Sequence, residues 1–294
     1  MRRDVTERME GWITGSAAVR GAAKALHRPL NKLFQQTPLR PVKLLLNGSW
    51  LEHPLHPLLT DVPVGAWTAA IVLDLVALIF RVPSLGLASG LTIGLGTLAA
   101  MATIVSGVMD WLDVDPPEMA IGAVHALINT IATILFAVSF AWRWGTGWAI
   151  TVDKFGLTLV AYLIVAGGAF LGGSLVYRLG TMINRNAYRH GPKDFVGVIA
   201  VGALKDGVPQ RVDLQGAPIL LVRRGETIHA LGGMCSHYGA PLEEGKLVED
   251  TIQCPWHYSR FSLADGSVRE GPATSPLPAF ETRIVDGQVQ VRSR

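Results

Sequence analysis

Four long apolar runs dominate the first part of the chain. They cover residues 58–80, 84–109, 119–142 and 155–177. The second run is the cleanest, because no charged side chain lies between Arg81 and Asp110. The first run is less uniform and contains Asp61 and Asp74. Since a helix needs about 20 residues to cross the hydrocarbon core of a bilayer, the pattern predicts four membrane-spanning helices.

The pattern changes after Arg178, where short apolar stretches alternate with turn sequences. The predicted strands are residues 195–202, 218–222, 227–231, 251–253, 260–263 and 282–291. Dipeptides such as Asp265-Gly266 and Asp286-Gly287 separate them and favour tight turns. We therefore predict α and β structure in separate domains: a four-helix transmembrane bundle over 53–178, a linker over 179–194, and an all-β domain over 195–294.

Composition supports a membrane protein and excludes an ordinary soluble one. Of the 294 residues, 49% are hydrophobic and only 17% are charged, with a mean hydropathy of +0.33. The sequence pI is about 9.0, but the basic residues flank the apolar runs instead of forming a patch with aromatic residues. Membrane lipid is thus an expected partner, and nucleic acid is not.

Residues 1–52 precede the first span and form a basic, partly amphipathic segment. Residues 1–40 contain no uninterrupted apolar stretch of the kind found in a signal peptide. The segment is expected to be either an interfacial amphipathic helix or a disordered basic arm. No internal repeat of fixed period is apparent in the chain.

Orientation follows from the positions of lysine and arginine. With four spans, the leader, the 110–118 loop and everything after the last span share one side of the membrane. The leader contains nine Lys and Arg residues, whereas the opposite side offers only Arg81, Arg143 and Lys154. The positive-inside rule then places the β-domain on the cytoplasmic face of the cell inner membrane. The four acids of the 110–118 loop are expected to form a solvated face or a docking patch.

Both cysteines of the chain lie in one motif within the predicted β-domain. Cys235 precedes His237 by two positions, and Cys254 precedes His257 by three, giving the spacing C-x-H-x16-C-x2-H. Two thiolates and two imidazoles suit either a tetrahedral zinc ion or a 2Fe-2S cluster with two cysteines on one iron and two histidines on the other. Each loop supplies one residue of each type, which favours the binuclear cluster.

This motif and its surroundings resemble a Rieske iron-sulfur domain. The resemblance extends to the flanking residues Gly239-Ala240-Pro241-Leu242, Pro255 and Ser259 to Phe261, and to the Asp265-Gly266 turn. It implies that Cys235 and Cys254 ligate the inner iron and that His237 and His257 ligate the outer iron.

The details of the loops indicate which kind of Rieske centre is expected. The cytochrome bc type carries an additional cysteine in each loop and a tyrosine near the second loop. This chain has no third cysteine and has Phe261 at the expected tyrosine position. We therefore expect a ferredoxin-like centre toward the lower part of the range of about −150 to +300 mV known for Rieske centres. Tyr258 stands where a glycine is common, which leaves the conformation of that loop open.

An oxygenase catalytic subunit is not expected. Such a subunit joins its Rieske domain to a mononuclear iron held by two histidines and a carboxylate. The 37 residues after His257 contain no histidine. The sequence thus predicts an electron-transfer component without an oxygenase active site.

The membrane half begins with His53-Pro54-Leu55-His56-Pro57. This start, with four spans and a histidine in the third, resembles a family of small bacterial membrane proteins of uncharacterised function. The resemblance covers roughly residues 53–178 and implies no established activity.

Two polar residues of the spans are candidates for a functional site. At 1.5 Å per residue, Asp61 and His125 lie at similar depths in spans that run in the same direction, so we expect them to hydrogen-bond. A titratable pair of this kind suits quinone binding or proton transfer. Asp74 lies mid-span, and we expect it to be protonated or buried against hydroxyls and amides.

Two interpretations remain for His56. Because it precedes a proline, it can simply mark the entry to the helix. Alternatively, His56 and His125 could be the two axial ligands of a haem. The depths fit this poorly, because the predicted span places His56 about 3 Å outside the membrane.

The sequence as a whole predicts a membrane-anchored carrier of single electrons. The cluster would exchange electrons through His237 and His257 with a cytoplasmic redox partner and, in the membrane, with a quinone near His125 and Asp61. The alternatives are a passively anchored ferredoxin that serves a separate oxygenase or reductase, and a redox or iron sensor.

Overall fold

The computed structural model describes residues 5–35, 37–189 and 191–294. The chain divides into two compact units. The membrane unit contains the residues up to Asn47 together with Leu55–Thr181, and the β unit contains Gly48–Pro54 together with Met182–Arg294.

Three helices form the first part of the membrane unit: α1 (Val5–Gly15), α2 (Ala17–Gln35) and α3 (Arg40–Asn47). Their apolar positions Ile13 and Ala23 are buried. Within residues 5–35 and 37–47, the predicted basic segment is therefore helical, and the interpretation as a disordered arm is wrong for these residues.

Four long helices follow: α4 (Leu55–Phe80), α5 (Leu85–Trp111), α6 (Glu118–Thr146) and α7 (Val152–Gly173), the last extended by a wider turn over Ser174–Arg178. Their mean hydropathy is between 1.8 and 2.1, and each is long enough to cross a membrane. Four apolar helices were predicted, and four are present in the described part of the chain. Each starts or ends within a few residues of the predicted run.

Small and aromatic residues fill the centre of the four long helices. The rings of Trp67 and Phe136 stack with their centroids 4.1 Å apart and an angle of 5° between their planes. The buried core around them also contains Ala70, Ile93, Ala100, Ala132, Ala161 and Val165. Alanine allows helix backbones to approach closely, which is a common way of packing helices in lipid.

A buried ion pair lies inside the same bundle, toward the C-terminal ends of α4 and α6. Arg143 of α6 donates to both carboxylate oxygens of Asp74, with N–O distances of 2.9 and 2.6 Å. The hydroxyl of Ser89 donates to the same carboxylate at 2.5 Å, and Thr158 accepts from Arg143 at 2.8 Å. The sequence predicted that Asp74 is protonated or buried against hydroxyls and amides, and this prediction did not include an ion pair. Its cationic partner was missed because α6 continues past the predicted end at residue 142.

The two helix hairpins α4–α5 and α6–α7 correspond to each other. His56 and His125, Trp67 and Phe136, and Asp74 and Arg143 are all pairs of residues 69 positions apart, and each pair is in contact. Ser89 and Thr158, also 69 apart, both bind the ion pair. The membrane unit thus contains an internal repeat. The sequence did not indicate it, because of these four pairs only the histidines are identical.

Two of the four acids of the 110–118 loop, Asp110 and Asp113, are buried and do not lie on the solvated or docking surface that the sequence suggested, whereas Asp115 is exposed. Lys43 forms a fully buried ion pair with Asp113, and Asn47 donates to Asp110 at 2.5 Å. Because α3 is amphipathic, its polar side chains reach the end of α5 and bind these acids. These contacts consequently hold the loop against α3 of the membrane unit.

The β unit contains two antiparallel sheets. The larger has the strand order β1-β10-β9-β4-β3-β2, and the smaller has the order β5-β6-β7-β8. The strands of the larger sheet are β1 (Val196–Ala200), β2 (Gln210–Leu214), β3 (Ala217–Arg224), β4 (Thr227–Gly232), β9 (Ala279–Val285) and β10 (Gln288–Ser293). Those of the smaller sheet are β5 (Lys246–Val248), β6 (Thr251–Gln253), β7 (Arg260–Ser262) and β8 (Val268–Glu270).

The all-β prediction is confirmed, but individual strands differ from it. The stretch predicted over 282–291, with a turn at Asp286-Gly287, is the hairpin β9–β10, which turns at these two residues and extends beyond the predicted ends. Strands β2, β5 and β8 were missed. Two of these three have only three residues, too few for an alternating pattern to be recognised.

One hydrophobic cluster brings the cysteine-bearing loops and both sheets together. It combines Leu220 and Leu231 of the larger sheet with Ile252 and Phe261 of the smaller one, and it includes Cys235 and Cys254. Both cysteines are therefore anchored in the apolar centre of the β unit.

Two turn glycines of the β unit differ in how closely the rest of the chain packs against them. Gly266 and Gly287 have nearly the same left-handed φ, 73° and 72°. A Cβ on Gly266 would overlap the carbonyl oxygen of Leu277, whereas one on Gly287 would have no atom within 4 Å. We expect Gly287→Ala to cost about 1–2 kcal/mol from backbone strain alone, and Gly266→Ala to cost at least about 1 kcal/mol more from the steric overlap.

Amide hydrogen exchange of β9 in the full chain measures both variants under the same conditions. Gly287→Ala serves as the matched control, because it changes the same residue type at the same φ without the steric contact. Equal protection in the two variants would show that the approach of Leu277 does not constrain this turn.

Candidate metal centre

The first candidate loop follows β4 and bears Cys235 and His237. It is closed by two backbone hydrogen bonds, from Cys235 N to Ala240 O and from Gly239 N to Cys235 O, both 2.9 Å long. Leu242 N also donates to Gly233 O at 3.0 Å. These bonds fix the direction in which the loop presents its two side chains.

The second loop connects β6 to β7 and bears Cys254 and His257. Cys254 N donates to Ser259 O at 2.8 Å, and the hydroxyl of Ser259 accepts from Ala273 N at 2.9 Å. Tyr258 adopts a φ of 66°, so it takes the left-handed conformation in which a glycine would be unstrained. The loop therefore keeps the shape expected for a glycine at this position, at a cost of about 1–2 kcal/mol.

A third segment lies against the first loop. Asn186 donates its side-chain amide to Met234 O at 2.9 Å, and Arg185 N donates to Ser236 O at 3.3 Å. Both residues belong to the segment predicted as a linker between the domains. In the β unit, this part of the chain is instead a structural support for the loop of Cys235.

The four candidate ligands meet as two pairs. The rings of His237 and His257 have their centroids 5.1 Å apart with an angle of 88° between their planes, and the thiols of Cys235 and Cys254 hydrogen-bond to each other. Within the described ranges, no three His, Cys, Asp or Glu side chains gather around a point that a single metal ion would occupy. One thiol pair and one imidazole pair match the donor set of a cluster with two irons.

The two cysteine sulfurs share one hydrogen bond, and each also accepts hydrogen bonds from the backbone. Hydrogen bonding with Cys235 lowers the pKa of Cys254 to about 7. The same hydrogen bond, together with burial, raises the pKa of Cys235. Backbone N–H groups at His237 and Tyr238 donate to the sulfur of Cys235, and those at Trp256 and His257 donate to the sulfur of Cys254. Such donors are what thiolate ligands of a cluster require.

The two histidines through which electron exchange was predicted differ in exposure. His237 is only 5% exposed, and the ring of Tyr238 packs edge-on against it at a centroid distance of 4.7 Å. His257 is partly exposed. It is flanked by Trp256 and Tyr258, which are 47% and 45% exposed.

Comparison with known protein families identifies the kind of domain that bears these two loops. A family model described as the Rieske 2Fe-2S domain matches residues 194–281. Ferredoxin CarAc of Metapseudomonas resinovorans is 36% identical over 95 residues, which are 32% of this chain and 89% of that protein. The chain belongs to the Rieske 2Fe-2S family. Membership brings a 2Fe-2S cluster and an electron-transfer domain of the ferredoxin type.

Other relatives match the Rieske part of the chain as well. Apoptosis-inducing factor 3 of Homo sapiens is 36% identical over 104 residues, and this chain spans only 17% of the length of that relative. The solved ferredoxin of carbazole 1,9a-dioxygenase from Nocardioides aromaticivorans IC177 is 30% identical, with 35% of this chain and 100% of that chain covered and a TM-score of 0.33.

The membrane part preceding the Rieske domain matches a second family. Residues 52–185 match the model described as "Predicted membrane protein (DUF2231)". The predicted fusion of a four-helix membrane domain with a Rieske domain is confirmed. The description assigns no activity to the membrane half.

The membrane-half candidates are placed differently from what the sequence predicted. Asp61 is exposed and forms none of the hydrogen bonds of His125, which contacts Gly168, Asn129 and His56. The expected pair of Asp61 and His125 is therefore wrong. Asp61 lies five residues after His56 on α4, which turns it about 140° away around the helix.

His56 lies nearer to His125 than the predicted span allowed. Helix α4 begins at Leu55 instead of residue 58, so His56 is in its first turn. The ring centroids of the two histidines are 6.3 Å apart, with an angle of 88° between their planes.

The buried cation Arg143 was the polar residue of this unit that the sequence interpretation missed. A signal was available: Arg143 follows His125 by 18 positions, the same interval by which Asp74 follows His56.

Proposed function

We propose that the protein is a membrane-anchored carrier of single electrons whose 2Fe-2S cluster is held by Cys235, His237, Cys254 and His257. The observation that supports this assignment is the meeting of these four side chains as one thiol pair and one imidazole pair. When bound, such a cluster accepts and releases one electron at a time. The buried thiols hold the inner iron, and the imidazoles hold the outer iron.

The exposure of the loops supports a route for electron exchange. His257 is partly exposed, whereas His237 and both cysteines are buried. The exposed aromatic rings of Trp256 and Tyr258 flank His257, and aromatic residues are common in protein interfaces. We therefore place the contact with a redox partner at the second loop.

The name of a similar protein supports a ferredoxin role for the Rieske domain. The anthranilate 1,2-dioxygenase ferredoxin subunit of Burkholderia cepacia is 36% identical over 74 residues, and this chain covers 68% of it. We propose that the partner is a soluble oxygenase or reductase, with the four long helices acting as an anchor. Because Asp61 and His125 are not in contact, a quinone at that pair is not part of the proposal.

The positions of basic residues support a cytoplasmic Rieske domain at the inner membrane. Arg143, which was counted on the opposite side, is buried in the ion pair with Asp74. Lys43 of the leader is buried in an ion pair as well, so Arg81 and Lys154 remain on that side against eight Lys and Arg residues of the leader. We propose that the transmembrane domain of residues 53–178 anchors the Rieske domain of 195–294 on this face.

Vesicles of opposite orientation test both the carrier function and its side. The full chain is expressed, and its membranes are prepared as inverted and right-side-out vesicles. After reduction by dithionite in the presence of a permeant mediator, the mediator is removed and ferricyanide, which does not cross membranes, is added. We expect a Rieske-type EPR signal in both preparations, and rapid loss of that signal by reoxidation only in the inverted vesicles.

The possible outcomes separate the parts of this proposal. Zinc without iron and acid-labile sulfide would contradict the carrier function. A cluster that is reoxidised only in right-side-out vesicles would contradict the cytoplasmic location but leave the carrier intact. A cluster that neither reagent can reduce or oxidise would contradict the carrier function.

A further inference from the structure

Two histidines of the membrane unit face each other across its internal repeat. His56 is in the first turn of α4, and His125 is on α6 at the corresponding position 69 residues later. Their ring centroids are 6.3 Å apart. Neither residue belongs to the Rieske motif or to the buried ion pair, so their pairing needs an explanation of its own.

The hydrogen bonds of the two rings fix the same tautomer in both. His56 Nδ1 lies 2.9 Å from Thr103 O, and His125 Nδ1 lies 2.8 Å from Gly168 O. A carbonyl oxygen can only accept, so each Nδ1 is the donor and each Nε2 keeps a lone pair. The Asn129 amide, 3.3 Å from His125 Nδ1, donates at 2.8 Å to the backbone oxygen of His125. Histidines that ligate metals are oriented in this way, with the second ring nitrogen donating to a carbonyl or a carboxylate.

Glycines hold both rings in position. A Cβ on Gly107 of α5 would lie 2.7 Å from Cε1 and Nδ1 of His56, and a Cβ on Gly172 of α7 would lie 3.0 Å from Cε1 of His125. Each glycine comes four residues after the residue that supplies the accepting carbonyl. Each histidine thus has the same two contacts: a backbone carbonyl that accepts from its Nδ1, and a glycine one helical turn after that carbonyl.

The number of donors indicates which metal group the pair would take. Among the described residues, no third His, Cys, Asp or Glu completes a metal-binding group with them. A zinc ion in a structural site takes about four protein ligands. Haem iron takes four nitrogens from its own macrocycle, so the protein needs to supply only axial ligands. Two histidines alone therefore match a haem.

The separation of the rings agrees with a shared iron. Two imidazoles bound on opposite sides of one metal, as the two axial ligands of a haem are, have ring centres about 6 Å apart, because each metal–nitrogen bond is about 2 Å and the nitrogen lies about 1 Å from the ring centre. The measured centroid distance is 6.3 Å.

We propose that His56 and His125 are the axial ligands of a non-covalently bound haem in the membrane unit. Covalent attachment is excluded by the sequence, because the two cysteines of the chain are both in the Rieske motif. The proposal does not depend on the function proposed for the Rieske cluster, since it concerns different residues in a different unit.

Haem content of the purified full chain tests this proposal. The protein is produced in cells supplied with a haem precursor, and haem is measured by the pyridine haemochrome assay and by reduced-minus-oxidised difference spectra. We expect haem in the wild type, and a loss of at least about ten-fold in His56→Ala and in His125→Ala, because each removes one of two axial ligands. His53→Ala is the matched control, because His53 is exposed and its ring hydrogen-bonds to the neighbouring Pro54 carbonyl.

Further measurements distinguish a loss of haem binding from a loss of folding. The Rieske EPR signal and helical circular dichroism report whether the variants are intact, and added imidazole is expected to restore the haem spectrum of His125→Gly. A wild type without haem, or haem retained in both alanine variants, would overturn the proposal. A divalent ion or a quinone lost on these substitutions in place of haem would also overturn it. Absence of haem with an intact cluster signal would contradict the haem proposal alone. Presence of haem without a cluster signal would contradict the electron-carrier function alone.

Discussion

Replacement of His257 by alanine is expected to abolish the Rieske EPR signal of the full chain. The side chain supplies one of the two imidazoles proposed for the outer iron, and its ring lies 5.1 Å from that of His237. Without it, the iron would lose half of its protein ligands. We expect iron and acid-labile sulfide to fall at least about ten-fold, since the loss of even a supporting residue typically costs 10–100-fold in metal affinity.

His229→Ala is the matched control for this substitution. His229 is a histidine of β4 in the same unit, partly buried but outside both candidate loops. It should therefore keep its cluster. Retention of the EPR signal in His257→Ala, or its equal loss in His229→Ala, would contradict the assignment of the ligand.

Replacement of Arg143 by methionine is expected to destabilise the membrane unit by about 3–5 kcal/mol, the cost of leaving one member of a buried ion pair without its partner. Arg143 donates to both oxygens of Asp74, and both side chains are fully buried. The hydroxyls of Ser89 and Thr158 are too few to replace a guanidinium. Unfolding of the full chain in mixed detergent micelles, followed by circular dichroism, measures the change.

A double variant distinguishes the ion pair from simple packing. Removing both charges in Asp74→Leu with Arg143→Met is expected to recover most of the lost stability, because well-packed apolar residues can replace a buried pair at little or no cost. Arg81→Met, which removes an exposed arginine at the end of α4, should change stability by no more than about 0.5 kcal/mol. Equal stability of Arg143→Met and wild type would contradict a structural role for the pair.

Much of the membrane unit could be predicted because the signal is local. The apolar runs are long enough to specify four helices irrespective of their neighbours, since a spanning helix satisfies its own backbone hydrogen bonds. The same local reading failed at Asp74, whose partner Arg143 is 69 residues away. Hydropathy placed Arg143 in a loop, because a charge beside an apolar run normally marks its end.

The candidate metal centre was predictable for a different reason. The four donors are of rare types at short spacing, and both cysteines of the chain are among them. The conformation of the loops was not predictable. Tyr258 has the left-handed backbone of a glycine, and His237 is buried beside Tyr238, because hydrogen bonds and packing from the rest of the β unit determine both.

The sequence by itself determined the helices that can cross a membrane, the β-domain that follows them and the cysteine and histidine donors of the cluster. These are properties of neighbouring residues: hydropathy over a helix length and ligand spacing within two short loops. The tertiary structure alone decided that Asp74 meets Arg143, that His56 meets His125 and that the linker residue Asn186 supports the loop of Cys235. These contacts join residues 48 to 69 positions apart, and they depend on how helices and loops pack, which a pattern along the chain does not contain.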